Sequence, residues 1–409
     1  CHNLQAADWD LDGDLDLLAG GMAKAAAGQR GLRLYLNAGG GTSWTVLPVD
    51  TDGRYSAETG DIDNDGDPDI VGIYNYDAAP TWIYRNNSAG PPSLDFWRAI
   101  PVSSAHVRTF GLAFTDIDGD GDLDIGSGPY VYRNPGGNMT GTWTQAGLPG
   151  GAHVFAAPDV DGDDRADWIA QQDHAGDSRI DLYWIEAADA AGTSWSAPVA
   201  IGNVPRSDHA EGFQGSCVAQ FEAGGRAEIA VSTMQGVYLF RVPADPAAGN
   251  WPRVQVAAND SDEGIGAGDI DGDGDLDIAF TRGGTKTVAW ARNPGDGSPG
   301  WDVFPLGSFS EANWPDRCAV ADLNGDGRLD VVVTEENSGA AADALACWWE
   351  QPAGGATQAN WTRRTVATQY TMNNLDAADF DGDGDIDLAL AEHRGTKRIQ
   401  VWGNDGSGA

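Results

Sequence analysis

A nine-residue acidic phrase, D-x-D-x-D-G-x-x-D, returns along the whole chain and limits what it can fold into. Its clearest copy sets Asp269, Asp271, Asp273, Gly274 and Asp277 at positions one, three, five, six and nine. Three carboxylates at every second residue converge on one point only if the backbone curls around that point. Glycine at position six permits the sharp turn, and the carbonyl of Asp275 at position seven supplies a further oxygen. The donor logic is that of an EF-hand calcium loop with its late acidic ligand moved forward. Carboxylates held so close repel one another strongly, and a hard divalent cation is the ordinary remedy.

Six further copies read the same way. They are Asp8, Asp10, Asp12, Asp14, Asp16; Asp61, Asp63, Asp65, Asp67, Asp69; and Asp116, Asp118, Asp120, Asp122, Asp124. Then come Asp159, Asp161, Asp163, Arg165, Asp167; Asp322, Asn324, Asp326, Arg328, Asp330; and Asp379, Asp381, Asp383, Asp385, Asp387. In each set the fourth-named residue stands at position seven and is expected to act through its backbone oxygen. In the fourth loop Asp164 replaces the turn glycine. An eighth copy is eroded to Gln220, Glu222, Gly224, Arg226 and Glu228, where Arg226 is expected to replace the cation by pairing with Glu222 or Glu228. The eight units recur at spacings of 43 to 61 residues.

Each unit has one grammar. Small residues lead into the loop (Leu4–Ala7) and an apolar run leaves it (Asp16–Gly20). A third run alternates (Leu32–Leu36), and period two argues for a half-buried strand. A Gly/Asn/Pro turn follows, then a tryptophan opens a fourth run; Trp44, Trp97, Trp143, Trp195, Trp251, Trp301 and Trp361 hold this place. An indole in every unit argues for packing between neighbouring sheets rather than ligand stacking. Four short strands joined by turns make an antiparallel sheet, and such sheets repeating every 40 to 60 residues are the signature of a β-propeller.

The expected fold is therefore all-β: one eight-bladed propeller of four-stranded antiparallel blades, with the acidic loops between first and second strands. Seven blades is the alternative, if one unit lies outside the ring. The expected blades are 1–53, 54–104, 105–150, 151–204, 205–258, 259–308, 309–367 and 368–409. In the last unit Ile399–Trp402 forms a third strand and no tryptophan-led fourth follows. Either the polypeptide continues, or the eighth blade presents an open edge to strand addition from another chain. The first residue is Cys1, so a leader or upstream segment is expected to precede it. Cys318 and Cys347 share a unit but fall two strands apart, roughly 9–10 Å, too far for a disulfide.

The loop, the small-residue run before it and the L-x-L/Y-x-N strand after it resemble the FG-GAP/VCBS repeats of integrin α-subunit propellers, fungal calcium-containing propeller lectins and many secreted bacterial proteins. The Phe-Gly…Gly-Ala-Pro words that gave the family its name survive only as Phe110-Gly111. The resemblance implies about seven structural Ca²⁺ on one face and ligand recognition elsewhere, often on the opposite face.

The formal charge of −38 speaks against nucleic acid or an anionic membrane as partner. Seven divalent ions would reduce it to −24, so much of the acidity is a metal signature. No segment is apolar for long enough to cross a bilayer. On the face away from the loops the topology gathers His, Arg and aromatic residues. The candidates for a glycan or protein ligand are Arg54, Tyr55, His106, Arg108, His153, His209, Trp314, Arg317, Tyr370 and His393. No catalytic residue is assigned. The alternative is a polysaccharide lyase, with a His or Tyr base and an Arg or cation to neutralise a uronate. Asn86, Asn138, Asn259 and Asn360 fit the glycosylation pattern. Loops of this affinity class need free Ca²⁺ of about 10⁻⁴–10⁻³ M, which argues for an extracellular address, secreted or cell-surface.

Overall fold

A computed structural model describes residues 3–21, 31–51, 56–73, 81–86, 98–103, 112–137, 139–163, 165–173, 178–189, 191–206, 212–222, 224, 226–258, 263–309, 313–337, 341–380, 382–392, 395 and 398–404. These residues form eight antiparallel sheets set in a ring, each with its strands in chain order. Eight blades is the outcome, and the fifth unit is one of them. Seven sheets have four strands; the eighth shows three, Met372–Ala378, Asp387–Glu392 and Ile399–Trp402. Among the described residues the only helical turns are two short 3-10 turns, Pro149–Gly151 and Pro246–Ala248.

Period two decides which faces are buried. In Gly31–Asn37 the leucines at 32, 34 and 36 turn inward while Arg33 and Tyr35 are half-buried. The second strands, such as Asp69–Ile73 and Glu228–Thr233, are buried at every residue because a neighbouring blade covers each face. First strands of successive blades lie side by side around the axis. The core clusters span blade pairs: Trp184 and Ile201 of blade 4 pack with Tyr238, Phe240 and Trp251 of blade 5.

The fourth-strand tryptophans are wedges. Trp143, Trp251, Trp301 and Trp361 are buried. Trp251 packs into blade 4, and its backbone N–H donates to Ile201 O at 2.8 Å. Trp44 packs against Phe380 and Ala389 of blade 8. Cys318 and Cys347 both pair with Val333 from opposite sides and are free thiols, as their spacing requires. Burial pushes the Cys318 thiol up to about 12.

The ring closes without a shared strand. Leu4, Leu17 and Ala19 of blade 1 pack with Phe380, Ala389 and Ala391 of blade 8. The Ala6 N–H donates to Asp376 Oδ2 at 3.1 Å. Asn37 Nδ2 donates to the Phe380 carbonyl, and that bond recurs around the ring. Asn86 reaches Trp9 O, Asn134 reaches Ile62 O, and Asn293 reaches Phe221 O. Gln351 reaches Ile270 O, and Asn404 reaches Leu323 O. Each is a side-chain amide at the end of a third strand, donating to position two of the preceding blade's loop. Removing a buried donor strands its acceptor at a cost of about 1–3 kcal/mol. Asn293→Ala is therefore expected to lower the urea unfolding free energy by that amount, with exposed Asn360→Ala as the near-neutral control.

Candidate metal centres and the opposite mouth

The acidic loops are prefolded by their own carboxylates. The position-one carboxylate takes backbone N–H groups from across the turn: Asp12 and Gly13 donate to Asp8, and Asp273 and Gly274 donate to Asp269, at 3.0–3.1 Å. Asp61, Asp116, Asp322 and Asp379 accept the same glycine N–H. Position six needs glycine for its backbone angle. Gly13, Gly66, Gly121, Gly274 and Gly384 lie at φ 96–98°, and a Cβ would meet nothing closer than ordinary contact, Asn64 Nδ2 at 3.6 Å from Gly121. Position five accepts the position-seven N–H, as Asp14 to Asp12 and Asp385 to Asp383, both at 3.0 Å.

Position nine is buried and does a second job. Asp16 takes the Trp9 N–H at 2.9 Å on one oxygen and the Asn37 N–H at 2.7 Å on the other. Asp69, Asp124, Asp277, Asp330 and Asp387 repeat both bonds. In the fourth loop Asp167 accepts from Val160 at 3.0 Å.

In the first four loops, carboxylate oxygens of positions one, three and nine come within 4.8 Å of one another. Oxygens so spaced can all lie 2.3–2.6 Å from one point, the Ca²⁺–oxygen range. Position three supplies the deciding sign. Asp10, Asp63, Asp118 and Asp271 each hold a buried Oδ1 with no hydrogen-bond partner, as an oxygen reserved for an ion would. The donor set fits a hard cation, and these clusters could hold metal ions. In loop two Arg85 already bridges Asp63 and Asp65. Asp164 and Asp381 fall outside the described residues.

The fifth loop differs from expectation. Arg226 donates to the carbonyls of Pro243 and of Asp161 in blade 4. The ion pair with Glu222 is made instead by Arg241, from the end of the third strand. Arg226 is too far committed across the blade boundary to fold back. Glu228 still fills position nine, accepting from Phe221 at 2.8 Å.

Of the ligand candidates, His153, Trp314, Arg317 and Tyr370 are described; Arg54, Tyr55, His106, Arg108, His209 and His393 lie outside the described residues. His153 begins the first strand of blade 4, where burial pushes its imidazole down and keeps it neutral. Trp314 begins that of blade 7, with Lys286 Nζ 4.4 Å from its ring centre. Arg317 stands 3.7–3.8 Å from Asp316 and Glu263. The Tyr370 ring lies against Gly395, where a Cβ would clash at 2.0 Å. The structure does not gather these four into one site. It does place a polar cavity of about 180 Å³ in the channel, lined by Glu58, Phe155, Gln171, Phe213, Gln214 and neighbours.

Asn86 corrects the glycosylation reading. Its amide is fully buried and spent on Trp9, so it offers nothing to a glycan. Asn360 is exposed; Asn138 and Asn259 lie outside the described residues. The interblade amides and the second job of position nine were missed in the sequence. The N that closes L-x-L/Y-x-N was the available signal.

The FG-GAP-like repeat matches residues 8–72, 61–127 and 269–333, each match beginning at a position-one aspartate. Over those stretches the chain is similar to FG-GAP-like repeats. No curated protein matches. The Dos1 propeller is similar in fold, 12% identical with TM-score 0.54, covering 97% of this chain and 91% of that one. An Agrocybe aegerita protein, described for specific recognition of non-reducing terminal N-acetylglucosamine, is 16% identical with TM-score 0.49, covering 99% and 100%. The V. cholerae biofilm matrix protein Bap1 is 11% identical with TM-score 0.39, covering 98% and 87%.

Two predictions follow from the loops of this FG-GAP-like propeller. Burial is the largest cause raising the metal-free position-nine carboxyls from 3.8, to about 8 for Asp69 and about 7 for Asp16, Asp124, Asp167, Asp277 and Asp330. The folded state then binds more protons than the unfolded one, so metal-free stability falls as pH rises from about 4 to 8. Chelated protein should melt lower at pH 8 than at pH 5, and added Ca²⁺ should raise the melting temperature more at pH 8. Separately, Leu11 sits exposed in the left-handed region at φ 56°, where most other loops carry glycine. That conformation costs a non-glycine residue about 1–2 kcal/mol. Leu11→Gly should stabilise the chain by about 1 kcal/mol in urea titration.

Proposed function

We propose that this FG-GAP-like propeller is a secreted or surface-displayed, Ca²⁺-stabilised binding module without catalytic activity, receiving a glycan or an extracellular protein on the face away from the acidic loops. The observation that carries the reading is the orphaned, buried position-three oxygen repeated at Asp10, Asp63, Asp118 and Asp271. Those oxygens call for ions inside hairpins that hold the blades, which makes the metals structural and leaves recognition to the other mouth. Ions of this class bind at free Ca²⁺ found outside cells.

The lyase alternative finds less support. It rests on His106 with Arg108, His153 and His209, of which only His153 lies within the described residues, where burial holds its imidazole pKa below the ordinary value. The described Arg317 stands between Glu263 and Asp316, and Glu58 lines the channel cavity. An anionic uronate chain would meet like charges there. A glycan array should return hits among neutral glycans, while acidic polysaccharides offered to the protein should yield no ultraviolet-absorbing unsaturated ends. Steady production of such ends would replace binding with elimination.

Assembly by strand addition remains a second reading, favoured by one cavity. A slot of about 520 Å³ lies between blades 7 and 8, lined by Leu323, Trp348, Val366, Leu388, Trp402 and neighbours. In six other blades the corresponding place against the preceding blade receives an indole, as Trp361 does against blade 6. The occupant we propose is an extended strand led by tryptophan. A peptide of residues 361–368 should bind the full chain and lose affinity at least tenfold with Trp402→Ala. Absence of binding would remove this reading.

A further inference from the structure

Three carboxylates outside the repeated loops converge between blades 6 and 7. Glu263 precedes the first strand of blade 6, Asp316 lies in the first strand of blade 7, and Glu336 ends the second strand of blade 7. One oxygen from each falls within 4.8 Å of the others. The cluster is at the opposite end of the first strands from the acidic loops, since Ile265–Gly268 runs away from Glu263 toward Asp269.

The decisive member is Asp316. It is 3% exposed, and neither carboxylate oxygen has a hydrogen-bond partner. A carboxylate removed from water without donors costs several kcal/mol unless something positive reaches it. Arg317 approaches Asp316 Oδ1 only to 3.7 Å and Glu263 Oε2 to 3.8 Å, beyond hydrogen-bond range. Gln214 Nε2 donates to Glu263 Oε1 at 3.0 Å and fixes that side chain.

The backbone holds the cluster closed. Thr281 Oγ1 donates to the Asp316 carbonyl at 3.2 Å. A Cβ on Gly264 would meet that carbonyl oxygen at 2.3 Å and Thr281 Oγ1 at 2.2 Å, so only glycine lets blade 6 come this close. A bulge between Pro315 and Cys318 sets Asp316 out of register with the second strand.

We propose that Glu263, Asp316 and Glu336 bind a further divalent cation of the Ca²⁺ class at the mouth opposite the loops, bridging blades 6 and 7. Oxygens up to 4.8 Å apart can share an ion at 2.3–2.6 Å. Glu263 and Glu336 are half-buried, so the ion keeps an open side for water or for hydroxyl oxygens of a docked ligand. Trp314, paired across the strands with Glu336, stands beside it.

The test counts ions on the full chain by mass spectrometry of metal after equilibrium dialysis against Ca²⁺, and so does not depend on the binding reading above. Asp316→Asn should hold one Ca²⁺ fewer than the unmodified protein while near-ultraviolet circular dichroism stays unchanged. Glu336→Gln, altered on the exposed side where misfolding is not at stake, should weaken one site by about tenfold and leave the others alone. A loop variant, Asp269→Asn, should affect a different ion, and its loss should add to that of Asp316→Asn. Equal ion counts in the unmodified protein, Asp316→Asn and Glu336→Gln would overturn the proposal and leave a proton shared by Asp316 and Glu263. If Asp269→Asn still changed the count, the loop reading would survive.

Discussion

A carboxylate taken out of water must be given donors, and the position-nine aspartate of six loops is given two from different parts of its blade. Asp16 binds the N–H of Trp9 at the start of the hairpin and the N–H of Asn37 at the end of the third strand. Three strands are thereby fixed relative to the loop without any metal. The same Asn37 turns its amide outward to the Phe380 carbonyl, beside the N–H that Asp387 holds. Each buried carboxylate therefore orders one loop and presents the next blade with an aligned acceptor. A cation, where present, would join the rim carboxylates of positions one and three to this position-nine framework.

The fifth blade separates the two jobs. It has lost two rim carboxylates, with Gln220 at position one and Gly224 at position five. Glu222 is neutralised by Arg241, and Arg226 reaches the Asp161 carbonyl of blade 4 in place of the amide used elsewhere. Glu228 nevertheless accepts from Phe221. A guanidinium can stand in for an ion at the rim, whereas the buried acceptor has no substitute. Metals bound in the loops would then be clamps on an already specified hairpin, and their removal should loosen the rim before it opens the ring.

Repetition decided how much could be read from the chain. Blade number, loop position and the tryptophan wedges each recur with a period, and a period survives uncertainty at any one copy. The interblade amide also recurs, but a lone Asn after a strand reads as a turn residue, because its partner lies on another blade. Asn86 shows the ambiguity: its Asn-Asn-Ser context fits a glycan acceptor, and its environment makes it a buried latch. Glu263, Asp316 and Glu336 recur nowhere. They meet only because adjacent first strands and a bulge bring two blades together, and no local pattern records that.

The two ends of the ring use acidity differently. At the loop end, carboxylates alternate with backbone donors, and the position-three oxygens left over lie in blades 1, 2, 3 and 6. At the other end, described residues place Glu58, Glu263, Asp316 and Glu336 near the channel, with Gln214 both lining the cavity and bonding Glu263. A cation there would convert a repulsive mouth into one able to accept neutral oxygen donors. Without it, burial and then the neighbouring Glu263 push the Asp316 carboxyl well above the usual carboxylate range, at a blade boundary that Gly264 holds too tightly to relax. The strain of that arrangement and the chance to bind a ligand thus reside in the same three side chains.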